Sequence, residues 1–383
     1  MTAGAVREAR TLAALIPLGI ANHAVLSGSR VIVSLDALSM GASAFTVGVL
    51  ISLYALLPML FAVAAGRLSD RIGTRWPMLA GSAVIGVGAT LAFAAPGMPA
   101  LFGSALLIGF GFMLFQIAAQ NATGELGGPE SRARNFGLLA VGYSVSGFIG
   151  PLVAGFAIDH YGFRAAFALF ALVPLAPIAV LASGRLSFPG RRSQGGAAHH
   201  GGVLALLRHR TLRRVFAITA LLSVGWDMHS IFVPIYGAKI GLTASEIGLV
   251  LSSFAAATFV VRFAMPVIVR RMNEHQVLTT ALLISSPVYF AYPFSQSVPA
   301  LLALSFTLGL GLGGGQPMVM SLLHTHAPPG RMGEAAGVRM SLVNTMAVAV
   351  PLVLGGVGAS IGIAPVFWSV GACLAAGGYL SRR

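Results

Sequence analysis

Apolar residues run along this chain in long blocks, and polar residues gather in short breaks between them. The blocks define twelve segments, near 11–35, 43–65, 76–95, 100–122, 136–158, 165–184, 213–236, 244–268, 277–293, 299–322, 335–358 and 364–381. Their lengths suit the ~20 residues that carry a helix across a hydrocarbon core of ~30 Å. In lipid only helices and closed barrels satisfy every backbone donor and acceptor. The runs are continuous, without the alternation of a barrel strand. The pattern predicts an all-α membrane protein with twelve transmembrane helices.

Composition agrees: 56% of residues are hydrophobic and only 9% are charged, too few polar groups to cover a soluble globule. The net charge of +14 would suit a nucleic-acid binder, but the distribution of arginines excludes that reading. Arg7 and Arg10 precede the first block; Arg67, Arg71 and Arg75 follow the second; Arg132 and Arg134 follow the fourth. Arg185, Arg191, Arg192, Arg208, Arg210, Arg213 and Arg214 surround the middle break, and Arg270, Arg271, Arg331, Arg382 and Arg383 complete the series. The opposite breaks hold little beyond Arg164 and Lys239. Basic residues accumulate on the cytoplasmic side of membrane proteins, so both termini are expected in the cytoplasm. The single cysteine, Cys373, leaves no disulfide framework. The first block is long and carries Asn22, His23 and Arg30, which reads as a retained helix, not a cleaved signal.

The chain also repeats itself at a shift of 200 residues. Gly41, Ala44, Gly48 and Ser52 match Gly241, Ala244, Gly248 and Ser252. Gly109, Gly111 and Gln116 match Gly309, Gly311 and Gln316; Pro151, Gly155, Gly162 and Phe167 match Pro351, Gly355, Gly362 and Phe367. The rarer prolines and glutamines carry most of the weight. The expected organisation is a six-helix half over 1–184, a cytoplasmic linker over 185–212 and a second six-helix half over 213–383. The two halves are then pseudo-symmetric bundles about an axis along the membrane normal.

Gly66-Arg67-Leu68-Ser69-Asp70-Arg71-Ile72-Gly73-Thr74-Arg75, placed after the second block, resembles the loop between helices 2 and 3 of the major facilitator superfamily. The resemblance covers the whole chain and implies that fold. It also implies that Gly66, Asp70, Arg71, Gly73 and Arg75 form a latch between the halves on the cytoplasmic side. Gly66 would allow close backbone approach, Asp70 would face the positive N-terminal end of a helix, and the arginines would anchor to lipid phosphates or carboxylates. The proposed partner of Asp70 is the start of the eleventh span, near Arg331, Glu334 and Arg339. Gly150, Pro151 and Gly155 in the fifth span are similar to a motif of exporters in that superfamily; packing alone would account for them equally simply. Drug–proton antiporters of the family often carry an arginine where this chain has Leu106, so any proton coupling must use another residue.

A charged side chain deep in a bilayer costs at least ~2.5–3.5 kcal/mol, so each needs a reason. Asp227 is the only carboxylate well inside a span, within Trp226-Asp227-Met228-His229. Arg30 lies on the first span, and the two either form a structural ion pair or flank a substrate. His229 is either a proton carrier or a hydrogen-bonded core histidine. Asn22, Gln116, Gln316, Arg339 and Asn344 complete the expected substrate pathway; such groups bond between helices or contact solute. The glycine run Gly309–Gly315 follows no strand, so it reads as helix packing and not as a phosphate loop. His324 and His326 have no further ligand nearby in sequence, and no metal site is expected.

These residues point to a secondary active transporter of a small organic solute, working by alternating access and exporting under a proton gradient. No cofactor is expected, nor is a nucleic-acid partner. The expected setting is a bacterial cytoplasmic (inner) membrane, as a multi-pass monomer. The alternatives are a metabolite importer and a non-transporting sensor of the same fold. A membrane enzyme is disfavoured, because no nucleophile–base pair is visible.

Overall fold

The computed structural model describes residues 3–126, 128–186, 188, 209–327 and 332–381. Most of the expected linker, and Arg331, lie outside them. Among the described residues the secondary structure is helical and no strand occurs. The helices are α1 (Ala3–Ser39), α2 (Ala44–Ile72), α3 (Arg75–Ala94), α4 (Met98–Glu125), α5 (Gly128–Leu172), α6 (Leu175–Ala182), α7 (Arg210–Lys239), α8 (Ala244–Ile268), α9 (Glu274–Ala291), α10 (Val298–Leu312), α11 (Gly315–His326), α12 (Met332–Ile361) and α13 (Ile363–Ser381).

Eleven helical stretches among the described residues are long and apolar enough to cross a membrane. The longest, Arg134–Ala182, holds two crossings. Gly162 divides it at φ 79° and ψ 170°, a left-handed conformation that only glycine adopts readily. The count is therefore twelve. Gly362, at the matching position, has φ 94° and separates α12 from α13. The 200-residue repeat thus extends to the backbone angles of its turns.

Two expected spans are interrupted. The sixth lapses at Val173–Pro174, where proline supplies no N–H to the helical ladder. The tenth lapses at Gly313–Gly314, although Gly313 keeps near-helical angles (φ −63°, ψ −30°). Glycine is the weakest helix former after proline. The Nε of Arg262 donates to the Gly313 carbonyl at 3.3 Å, so a cation covers the end of α10.

Contacts gather the described chain into two compact units. One comprises Met1–Gly41, Leu53–Gln194 and Thr243–Ser252; the other comprises Ala42–Ser52, Gly195–Leu242 and Ser253–Arg383. In the first, α1 packs on α4 and α5, and α3 packs on α4, α5 and α6. Leu15, Leu18, Met78, Phe115, Ala118 and Leu181 form a fully enclosed cluster there. In the second, α7 packs on α12 and α13, and α9 packs on α10 and α13. Lipid offers no hydrophobic drive between helices, so close backbone approach has to hold them. An added Cβ at Gly81 would lie 2.5 Å from the Gly111 carbonyl oxygen. One at Gly311 would lie 2.7 Å from Ser285 Oγ.

Candidate functional site

In the first unit the polar groups of α1 are satisfied mainly by neighbouring helices. Asn22 is fully buried, and its amide donates to Ser82 Oγ on α3 at 2.9 Å and to the Leu18 carbonyl at 3.2 Å. Its place is a helix–helix bond, one of the two roles the sequence left open. His23 Nδ1 lies 2.6 Å from Ser146 Oγ on α5, with its ring against Phe112 and Tyr143. Ser146 Oγ also lies 2.9 Å from the Tyr143 carbonyl, and which of Nδ1 and Oγ donates depends on the His23 tautomer. Arg30 places its guanidinium 5.4 Å from the centre of the Tyr54 ring, a cation–π contact, and its buried Nε has no hydrogen-bond partner. Tyr54 in turn donates to Ser29 Oγ at 3.1 Å. Gln116 is half-buried on α4.

The second unit places different chemistry at the repeated positions. His229 stands where the first unit has Ser29, and Phe254 where it has Tyr54. His229 is 1% exposed and stacks on Phe254 with ring centres 4.3 Å apart. Its Nε2 lies 2.9 Å from Ser305 Oγ, which also lies 2.6 Å from the Tyr292 hydroxyl. Tyr292 stacks on Phe367, and the Tyr289 hydroxyl donates to the Gly225 carbonyl. His229 is therefore a hydrogen-bonded core histidine joining α7 to α10. Asp227, two residues earlier, is half-buried. Gln316 is exposed at the start of α11, Asn344 is half-buried on α12, and Arg339 has a buried Nε without a hydrogen-bond partner. Arg30 belongs to the first unit and Asp227 to the second.

The loop after α2 departs from expectation at Arg75. Arg75 does not serve as a lipid anchor: its Nε donates to the Leu181 carbonyl at 2.8 Å and its Nη2 to the Ala182 carbonyl at 2.9 Å. These carbonyls end α6 and have no partner within the helix, so the guanidinium caps it and meets the negative end of its dipole. Among the described residues, an added Cβ at Gly66 would meet nothing within 4 Å. Gly73 makes the turn into α3 at φ 82°. Arg71 is exposed in the last turn of α2. The side chains of Asp70 and Glu334 lie outside the described ones.

The fifth-span glycines do meet neighbours. An added Cβ at Gly150 would collide with Ser27 Oγ and lie 2.7 Å from the Ala24 carbonyl oxygen, so α5 touches the α1 backbone there. An added Cβ at Gly155 would collide with the Ala244 carbonyl at the start of α8, and one at Gly248 would lie 2.5 Å from the Pro151 carbonyl oxygen. Ser252 Oγ donates to the Phe148 carbonyl at 2.8 Å. The same set recurs 200 residues away, between the start of α2 and α12: Gly48 against the Pro351 carbonyl, Gly355 against Ala44, and Ser52 Oγ to the Val348 carbonyl at 3.1 Å. One member has no counterpart. Asp159 accepts hydrogen bonds from the Ala244 and Ser245 amides, and the repeat has Ala359 in its place. Sequence reasoning did not single out Asp159, which lies just past the fifth apolar block.

Repeated apolar helices that cross at glycine-lined contacts and carry polar side chains inside the spans place the chain among polytopic helical membrane proteins. The sequence model of the Major Facilitator Superfamily matches residues 11–351, and the chain belongs to that family. It is 27% identical over 316 residues to the class G tetracycline resistance protein of Vibrio anguillarum, covering 80% of this chain and 78% of that one. It is 31% identical over 133 residues to the multidrug efflux pump LfrA of Mycolicibacterium smegmatis (strain ATCC 700084 / mc(2)155), covering 34% of this chain and 26% of that one. Among solved structures, a peptide transporter POT in complex with sulfate superposes with TM-score 0.80 at 18% identity, covering 97% of this chain and 94% of that one. A bacterial homolog of the human lysosomal transporter Spinster gives TM-score 0.77 at 15% identity, covering 98% and 97%. At such identities these structures speak to the fold alone. Membership makes the protein a multi-pass membrane transporter of a small-molecule substrate and not an enzyme.

Proposed function

We propose that the protein is a secondary active transporter that exports a small organic compound from a bacterial cell in exchange for protons, by alternating access. It works as a monomer in the cytoplasmic membrane with both termini inside. The observation that carries proton coupling is Asp227, the one carboxylate deep in a span by sequence, which lies half-buried on α7. Leu106 offers no titratable group, and His229 is enclosed by Phe254 and Ser305. Export is supported by Gly150, Pro151 and Gly155 and by similarity to a tetracycline resistance protein and a multidrug efflux pump. Asp70 is read as the cytoplasmic latch facing the start of α12, with Arg339 near that level.

A thermal-stabilisation screen of the purified protein, starting with tetracyclines, would supply a ligand. Proteoliposomes with an imposed pH gradient then test the mechanism. Protons moving one way should drive the ligand the other way, and Asp227→Asn should abolish that accumulation while ligand still raises the melting temperature. Ligand moving with the protons would identify an importer instead. Unchanged gradient-driven transport in Asp227→Asn would remove Asp227 from the mechanism.

A further inference from the structure

We infer that Asp159 is a gate residue of the transport cycle, holding the ends of α5 and α8 together on the side of the membrane opposite the Arg67–Arg75 stretch. The first turn of a helix presents amides with no intrahelical acceptor. In α8 they are shared between two devices. Thr243 and Glu246 form a reciprocal cap: Glu246 N donates to Thr243 Oγ1 at 3.2 Å, and Thr243 N donates to Glu246 Oε2 at 2.8 Å. The other two amides are taken from outside the helix, Ala244 N by Asp159 Oδ1 at 3.0 Å and Ser245 N by Asp159 Oδ2 at 2.7 Å. Each carboxylate oxygen takes one amide, at the positive end of the helix dipole. Gly155, one turn earlier on α5, makes the reach possible, since an added Cβ there would lie 3.0 Å from Ser245 Cα and against the Ala244 carbonyl.

The repeat isolates what the carboxylate adds. Gly355 approaches the start of α2 in the same way, 3.0 Å from the Ala44 carbonyl oxygen and 3.3 Å from Phe45 Cα when a Cβ is built. There the fourth residue on is Ala359, and the local cap is a bond from Thr46 N to Ser43 Oγ at 3.2 Å. Both crossings share the glycine contacts and a serine–carbonyl bond, from Ser52 to Val348 and from Ser252 to Phe148, and only the α5–α8 crossing adds a charged clamp. Alternating access requires these ends to part when the pathway opens on this side. Parting α5 from α8 exchanges two charge-assisted bonds of an exposed carboxylate for water; parting α2 from α12 breaks no such clamp. Asp159 therefore biases the cycle towards closure on this side.

The inference rests on the alternating-access reading, but its test uses no substrate and no proton gradient, so failure of the export assignment leaves it standing. In a Cys373→Ala background, spin labels at Tyr161 on α5 and at Lys239, the last residue of α7 just before the turn into α8, both exposed, report the separation of the α5 end from the start of α8 by pulsed electron resonance. Loss of two charge-assisted bonds should raise the widely separated fraction on the order of tenfold in Asp159→Ala, with Asp159→Asn between that and wild type. Superimposable distance distributions in wild type and a monodisperse Asp159→Ala protein would overturn the assignment. If that variant does not fold, Ala359→Asp carries the test in the opposite direction. Labels at Met40 and Ile361 should then show the separated fraction of the α2 and α12 ends falling below wild type. No change there would overturn it equally.

Discussion

Gly150 and Gly137 lie on the same helix, and the same substitution should act on them with opposite sign. At Gly137 an added Cβ meets nothing within 4 Å, whereas at Gly150 it collides with Ser27 Oγ and lies 2.7 Å from the Ala24 carbonyl oxygen and 3.0 Å from Gly28 N. The last two atoms are α1 backbone and cannot rotate away. Gly137→Ala gains helix propensity, about 0.5–1 kcal/mol. Gly150→Ala gains the same amount but forces α1 and α5 apart, an overpacking cost of about 1–3 kcal/mol. The two variants should therefore differ by roughly 1–3 kcal/mol, with Gly150→Ala below wild type. Thermal unfolding in detergent, followed by tryptophan fluorescence, orders the three proteins directly. A Gly150→Ala midpoint at or above that of Gly137→Ala would refute the claim that backbone contact sets the α1–α5 distance. Gly150→Val, with two further methyl groups, should be lower still.

Arg75→Ala should lower the unfolding midpoint, because its two bonds to the end of α6 are each worth about 1 kcal/mol after discounting for their partial exposure. Arg75→Lys should recover only part of this, since an ammonium cannot reproduce the planar fork; full recovery would mean that charge alone matters. Topology is checked by single cysteines placed within 185–212 in Cys373→Ala cells. They should resist impermeant thiol reagents applied from outside, and ready labelling would reverse the orientation.

The twelve crossings were legible because length and apolar continuity are properties of one segment at a time. The repeat was legible because matched prolines and glycines stand at fixed offset, and their backbone angles and crossings obey it. What escaped detection was partnership. Arg75 was read as a lipid anchor because its acceptors, at Leu181 and Ala182, lie 106 and 107 residues away. Asp159 lies just past the end of the fifth apolar block, and only folding shows which amides it faces. His229 shows the same limit: residue type allowed a proton carrier or a core group there, and only folding shows that Phe254 and Ser305 are its neighbours. At Gly66 the motif conveys where a glycine stands but not what approaches it.

The pairing of Tyr54 and Ser29 with Phe254 and His229 bears on how such a chain comes to exist. A duplicated ancestral segment would have begun with identical residues at both places, under the same demand to keep helices in register. Backbone contacts such as Gly109 on Tyr54 and Gly309 on Phe254 survive in both copies, since a bulkier residue in either would force its helices apart. Side-chain chemistry escaped that demand, so a phenol–hydroxyl bond in one copy faces a ring stack in the other. Selection could then try new polar groups in one copy while the other preserved the ancestral arrangement, and mutations that alter what is carried should fall unequally on the two copies.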